Sequence, residues 1–172
     1  MLIADHIKKG EILIYPTDTV YGIGCDATNS KSVERIREIK QSKKPFSVIA
    51  PSKDWIRENC EIQEKYLEML PGPYTFLVKP KSRLVCKETI LGSEKIGIRI
   101  PNHEITREIQ ESGKPFITTS INKTGEPPYT DIKQIPKSIL DKVDIIIDLG
   151  EISNKPSKIL DLTTNPPQTI RI

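Results

Sequence analysis

The sequence predicts one domain of the α/β or α+β class, and three observations support this prediction. Short apolar runs alternate with amphipathic stretches along all 172 residues. Most of the apolar runs are rich in Ile, Val or Thr, the composition typical of strands. No repeat, low-complexity tract or linker divides the chain, and its length is enough for one core. We therefore expect a single domain over residues 1–172.

Strands and helices are predicted from hydrophobic period and from turn residues. Helix 30–41 places Val33, Ile36 and Ile39 on one stripe behind an Asn29 or Ser30 cap. Two further helices, 61–70 and 103–111, end at Pro and Gly residues, and His103 reads as a helix-start residue rather than a catalytic one. The predicted strands are 11–15, 46–50, 74–79, 96–100, 115–120, 144–149, 158–162 and 168–172.

Composition excludes several classes of function. No apolar run approaches the roughly 18 residues of a membrane span, and the first ten residues lack a signal-peptide core, so we expect a cytoplasmic protein. Cys25, Cys60 and Cys86 are widely spaced, without a CxxC pair, and are interpreted as small buried apolar residues. Two histidines leave a His-based metal site almost without ligands. A net charge of +3 permits anionic partners without proving nucleic-acid binding.

Two segments near the start of the chain carry groups suited to a polar ligand. The loop 15–24 combines hydroxyl, carboxylate and glycine residues after a strand, although a hydroxyl-rich turn is an equal alternative. Lys40, Lys43 and Lys44 lie between a helix and a strand and would suit a polyphosphate. Cations are also favoured at any helix C-terminus, so that pattern alone does not decide.

Two later segments add a guanidinium and a polar row. Arg99 lies on the strand face opposite Ile98 and Ile100, where it could clamp a carboxylate or phosphate, the alternative being an exposed sheet-face arginine. Thr118 and Ser120, followed by Asn122, share one side of an extended segment, which makes a poor core and a good ligand wall. The phosphate-loop and nucleophile-elbow motifs GxxxxGK[ST], GxGxxG and GxSxG are absent from the sequence.

Taken in order, five strings resemble the YrdC-like family of threonylcarbamoyl-AMP synthases. They are YPTDTVYGIGCDA at 15–27, IREIKQSKKPFSVIA at 36–50, LPGPYTFLVK at 70–79, IGIRIPNH at 96–103 and TTSINKTGEPP at 118–128. The resemblance implies an α/β fold with a twisted mixed sheet, flanking helices and a concave, positively charged face. It also implies that L-threonine, bicarbonate or CO2, and ATP are joined to give threonylcarbamoyl-AMP and pyrophosphate. Other proteins would then transfer the threonylcarbamoyl group to tRNA.

The resemblance also implies roles for individual residues. Thr17 and Thr118 would contact the threonine substrate and Arg99 its carboxylate. The nucleotide would be held by the cationic and polar residues Lys40, Lys44, Ser120, Asn122 and Arg171. Magnesium would arrive with ATP, and no organic cofactor is implied. The family's Lys-x-Arg pair is incomplete here, because Lys40 is followed by Gln41-Ser42 in a shorter loop. Lys43 would substitute for the arginine, although an ammonium lacks the planar fork.

Two alternative functions remain at this stage. A non-catalytic RNA-binding module of the same fold would use the same basic concavity. A carbamoyl-transfer role like that of the related domain in hydrogenase-maturation proteins ranks third, because it normally comes with further domains that 172 residues cannot contain. Some family members carry a second, C-terminal domain, and this sequence is predicted to be the single-domain form.

Overall fold

A computed structural model describes residues 1–172, with ten strands in one mixed sheet. The strands are β1 (Leu13–Tyr15), β2 (Gly22–Gly24), β3 (Ser47–Ile49), β4 (Cys60–Glu61), β5 (Tyr74–Pro80), β6 (Ile96–Arg99), β7 (Phe116–Ser120), β8 (Ile145–Ile146), β9 (Lys158–Asp161) and β10 (Gln168–Arg171). They follow the order β10-β9-β5-β6-β3-β7-β2-β1-β8, with β4 paired to β5. Three pairs are parallel, β3 with β6, β5 with β9 and β1 with β8.

Seven α-helices and one 3-10 turn flank this sheet. The helices are α1 (Ile3–Lys8), α2 (Ser30–Lys40), α3 (Lys53–Asn59), α4 (Glu64–Leu67), α5 (Lys87–Ile90), α6 (Glu104–Gln110) and α7 (Lys137–Leu140), and the 3-10 turn is Ile132–Gln134. The Asn29 side chain caps α2 by accepting from the Ser32 amide, and His103 caps α6 by accepting from the Ile105 amide. No helix is long and apolar enough to cross a membrane.

Alternate residues of β1, β3 and β7 enter two separate apolar clusters, one on each face of the sheet. In β1, Ile14 belongs to a core of 27 residues that includes the buried stripe of α2. Leu13 and Tyr15 belong to a cluster of seven that packs α1 and α6 against the other face. The smaller cluster covers only part of its face. Polar side chains from β3, β5, β6 and β7 occupy the remainder.

The predicted elements are largely confirmed, with three corrections, and the helices α1, α3, α5 and α7 were not predicted. Helix 61–70 is wrong at both ends, because Cys60–Glu61 pairs with β5 and only Glu64–Leu67 is helical. Strand 144–149 shrinks to Ile145–Ile146, since only this pair is registered beside β1. Residues 22–24, predicted to be loop, form β2 between β1 and β7.

The three cysteines differ in burial. Cys25 and Cys60 are buried free thiols, as predicted for small apolar residues. Cys86 is only partly buried, so the prediction of a buried residue is wrong there.

Candidate active site

A cavity of about 780 Å³ lies on the sheet face opposite the larger core. Residues of seven strands and of the adjoining loops line it, and most of them carry hydroxyl, amide or cationic groups. Five cations line it against a single carboxylate: Lys40, Lys44, Lys95, Arg99 and Arg171 against Glu126. A lining of this kind suits a polar, anionic ligand.

Eight of the nine predicted site residues line this one cavity. They are Thr17, Lys40, Lys44, Arg99, Thr118, Ser120, Asn122 and Arg171. Lys43 does not: its side chain is exposed and outside the cavity lining. The loop 41–46 therefore offers Lys44 to the cavity and turns Lys43 to solvent.

Small residues of β2, β3 and β6 form part of the cavity lining. Ser47 of β3 is paired with Thr118 of β7, and Gly22 of β2 with Ser120 of the same strand. Gly97 of β6 lies beside Ser47, and a Cβ added at Gly97 would come within 2.2 Å of the Ser47 hydroxyl oxygen. Glycine is therefore required at position 97 by the Ser47 side chain that lies against it.

The loop after β1 is held by its own hydroxyl groups. The Thr17 hydroxyl donates to the Val20 carbonyl at 2.8 Å and accepts from the Thr19 amide at 3.1 Å. Thr17 is 4% exposed and Thr19 is 1% exposed, so neither hydroxyl is free to rotate into solvent. The polar loop is therefore a rigid wall, which disfavours the alternative of a merely hydroxyl-rich surface turn.

Arg99 is a buried cation with one carboxylate partner. Its guanidinium donates to Asp18 Oδ1 at 2.6 Å, and only 8% of its side chain is exposed. Burial lowers the pKa of Arg99, and the Asp18 charge opposes that shift. The Nε atom is buried without a hydrogen-bond partner. The alternative of an exposed sheet-face arginine is wrong, since Arg99 is buried and lines the cavity.

Lys40 joins the C-terminus of α2 to the loop after β7. Its ammonium donates to the carbonyls of Ser120 and Asn122, the latter at 2.9 Å, and it has no carboxylate partner. Burial lowers the pKa of Lys40 to about 8. The helix ends here because Gln41 takes a left-handed conformation, with φ of 50°.

Arg37 organises the lysine loop from inside the helix. It donates to the carbonyls of Ser42 and Lys44, at 3.2 and 2.8 Å, and its guanidinium lies 4.0 Å from the centre of the Phe46 ring. These contacts fix the path of the chain between α2 and β3. This chain lacks the arginine of the family's Lys-x-Arg pattern, and Arg37 does not replace it in the cavity, because the hydrogen bonds of Arg37 all go to backbone carbonyls.

Asn122 closes the polar row that begins at Thr118. Its amide nitrogen donates to the Lys123 and Glu126 carbonyls at 3.1 and 2.5 Å. Its Oδ1 atom is buried and has no partner in the protein. An acceptor of this kind is normally satisfied by a ligand or by water.

Around the predicted Arg171, the cavity contains groups that the sequence did not predict. Arg171 donates to the Ser157 carbonyl at 2.8 Å and to its hydroxyl at 3.0 Å, and that hydroxyl is 2.8 Å from the Thr75 hydroxyl. Lys95 pairs with the buried carboxylate of Asp161 at 2.5 Å. Burial alone would raise the pKa of Asp161, but the Lys95 and Thr163 contacts lower it below its usual range.

One signal could have found these residues. Ser157 directly precedes β9 and Lys95 directly precedes β6, so both stand at strand ends, where polar groups of a sheet protein often meet a ligand. No group of three or more His, Cys, Asp or Glu side chains is placed to hold a metal ion.

The comparison with family sequence models decides the assignment. Residues 5–172 match the Sua5/YciO/YrdC model, which carries the description "Telomere recombination". This chain belongs to the Sua5/YciO/YrdC family. It is 36% identical to a protein of Methanocaldococcus jannaschii over 173 residues, which cover 96% of this chain and 81% of that one. It is 33% identical to the threonylcarbamoyl-AMP synthase of Marinobacter nauticus, covering 92% and 88% of the two chains.

Solved structures of the Sua5/YciO/YrdC family share the fold. Pyrococcus abyssi Sua5 complexed with L-threonine has a TM-score of 0.88 at 30% identity; the match covers 98% of this chain and about half (52%) of that protein. Escherichia coli YciO has a TM-score of 0.85 at 26% identity, covering 98% and 85% of the two chains. The mixed sheet with flanking helices is thus the fold that the sequence predicted.

Proposed function

We propose that this protein is an L-threonylcarbamoyladenylate synthase. The observation that carries the proposal is the convergence of residues from five separate sequence motifs on one cavity rich in cations and hydroxyl groups. Relatives at 30 to 33% identity bear the name threonylcarbamoyl-AMP synthase. None of the comparisons favours the RNA-binding alternative.

Both substrates would occupy this one cavity. Arg99 would pair with the threonine carboxylate through parallel hydrogen bonds, while Thr17 and Thr118 border the same substrate. The unpartnered Nε of Arg99 supports an acceptor at that point. The groups proposed to hold ATP are Lys40, Lys44, Ser120, Asn122 and Arg171. Lys43 is not included, because it lies outside the cavity.

The reaction asks for positioning rather than for a covalent enzyme intermediate. The threonine amine adds to the carbon of CO2 and loses a proton, giving a carbamate. A carbamate oxygen then attacks the α-phosphorus of ATP, and the bond to pyrophosphate breaks. The chain therefore acts as a nucleotidyltransferase, with the AMP group passing to the carbamate. Lysine and arginine side chains around the phosphates would stabilise the charge that develops on the leaving pyrophosphate.

Magnesium would enter as part of the substrate, MgATP. The cavity offers mainly hydroxyl and cationic groups with Glu126 as its one carboxylate, which suits an ion held by phosphate oxygens and water. No organic cofactor is expected. Residues 1–172 are proposed to act as a single domain, and tRNA and the threonylcarbamoyl-transfer proteins are the expected downstream partners in the cytoplasm.

Pyrophosphate release with each substrate omitted in turn tests this proposal. The protein is incubated with MgATP, L-threonine and bicarbonate together, and then with each one left out. We expect pyrophosphate and threonylcarbamoyl-AMP only in the complete mixture, because the carbamate is the nucleophile. Release of pyrophosphate that is independent of threonine would contradict the proposal. A replacement of L-threonine by D-threonine is the matched control for substrate geometry.

A further inference from the structure

Asp18 is the one carboxylate that contacts the buried Arg99. Its Oδ1 accepts from Arg99 at 2.6 Å, and its Oδ2 accepts from the backbone amide of Asn102 at 2.9 Å. Both oxygens are therefore engaged, and only 12% of the side chain is exposed. One carboxylate thus ties the loop after β1 to the end of β6 and to the start of the next loop.

Asp18 does not line the cavity, whereas its neighbours Thr17 and Thr19 and its partner Arg99 do. It contacts the guanidinium from behind the wall, so a ligand in the cavity touches Arg99 without touching Asp18. It takes one N–H of a group that has five, which leaves Arg99 able to donate to a second acceptor. The buried Nε without a partner is one such donor.

We propose that Asp18 is a positioning residue, which holds the Arg99 guanidinium in one orientation relative to Thr17. Arg99 and Thr17 together would then select a free carboxylate in the substrate. This inference rests on the proposed function. The physical basis is that a buried guanidinium keeps one orientation only when its charge and its N–H groups are paired. Asp18 also fixes Thr17, because the two residues are adjacent in a loop whose hydroxyls are already bonded.

Asp18→Asn tests this role with little change in shape. The substituted amide has one acceptor oxygen, so it could bond Arg99 or the Asn102 backbone N–H but would set an NH2 donor against the other. We expect the KM for L-threonine to rise about tenfold or more, with a smaller change in kcat and an unchanged KM for MgATP. Tighter L-threonine binding would overturn the inference, because it would show that Asp18 competes with the substrate carboxylate.

The decisive readout is the preference for a free carboxylate. Dissociation constants for L-threonine and L-threoninamide, measured by calorimetry, should differ strongly in the wild-type protein. In Asp18→Asn this ratio should shrink by about tenfold, whereas in an Arg99→Lys background the same substitution should shrink it no further, because Asp18 acts only through Arg99. A merely structural role would weaken both ligands equally and leave the ratio unchanged, which would overturn the proposal.

Two further variants complete the test, one as a substitute for Asp18→Asn and one as a control. Asp18→Glu retains the charge if the Asp18→Asn variant does not fold, and it should still lower the ratio, since the longer side chain displaces the guanidinium. Asp26→Asn is the matched control: Asp26 is also buried, accepts from the Thr28 amide at 2.8 Å, and lies outside the cavity lining. It should lose stability and keep the wild-type ratio.

These measurements also distinguish failure of the proposed function from failure of the role given to Asp18. A wild-type protein with no preference for L-threonine over L-threoninamide would overturn the proposed function and this inference together. A wild-type preference that survives in both Asp18 variants would overturn this inference alone.

Discussion

Buried cations give this cavity its chemical character at the level of single residues. A cation in water gains little from an anionic ligand, whereas a cation already removed from water gains more because less solvent remains to screen it. Arg99 and Lys40 are 7% and 5% exposed, and burial lowers the pKa of both. They differ in partners, since Arg99 has a carboxylate and Lys40 has only backbone carbonyls.

The affinity for MgATP should therefore depend on pH through Lys40. Its pKa of about 8 means that the side chain is charged at pH 7 and mostly neutral at pH 9. A charged ammonium favours phosphate, so affinity is full below pH 8 and is lost as the pH rises through that value. At one pH unit above the pKa only about a tenth of the side chains remain charged, so we expect a fall of up to about tenfold.

Calorimetric titrations of MgATP at pH 7, 8 and 9 measure this dependence. Binding near pH 8 should take up a proton, because the phosphate stabilises the charged form. Lys40→Arg is the control, since a guanidinium stays charged over this range and should give a flat profile. An identical decline in both proteins would show that another group is responsible.

At the level of elements, β2 lies between β1 and β7 in the sheet, and both of its ends are glycines. Gly24 packs so closely that an added Cβ would lie 2.1 Å from the Ile117 carbonyl oxygen and 2.4 Å from the Phe116 ring. Backbone cannot yield as a flexible side chain can. Gly24→Ala should therefore lower the free energy of unfolding by about 3 kcal/mol, measured by urea denaturation.

Gly22→Ala in the same strand is the matched comparison for Gly24→Ala. The nearest atom to its added Cβ belongs to the Tyr15 ring at 3.0 Å, which can shift slightly, so its cost should be smaller. Equal costs for the two variants would contradict the packing argument.

The same strand shows why the sequence predicted most elements and not all of them. Helix α2 was foreseen almost to the residue, because its apolar stripe and its Asn29 cap are local signals. Strand β2 was missed because Gly-Ile-Gly has low strand propensity, and only the close approach of β7 explains why glycine is required.

In the candidate site, too, the sequence predicts residues that carry a local signal and misses those defined by distant contacts. Arg99, Thr118 and Ser120 were found through strand alternation and motif strings, both of which are local. Ser157 and Asp18 were not assigned roles, because their contacts join residues far apart in sequence: Ser157 meets Thr75, and Asp18 meets Arg99. Lys43 was assigned by its position in a motif, and the path of the loop turns it outward. Contacts between distant segments are the part that the sequence could not supply.

At the level of the whole molecule, the cavity extends from interior strands to one edge of the sheet. All four residues of β10 are exposed, and the strand pairs only with β9. Its Arg171 nevertheless lines the cavity and bonds Ser157. The opposite edge, β8, pairs only with β1, and neither of its residues lines the cavity. The two edges are therefore similar in pairing and different in their access to a ligand.

Hydrogen exchange should separate these edges when MgATP binds. Contact with Arg171 would oppose opening of β10, so its amides should exchange more slowly, by up to about 100-fold at a ligand concentration 100 times Kd. Peptides that cover residues 144–149 should show no change, and Arg171→Ala should abolish the effect at residues 168–172. Equal slowing at both edges would indicate general stabilisation. No slowing at β10 would place the nucleotide away from Arg171, because an exposed edge strand held by a ligand cannot open as freely as one without it.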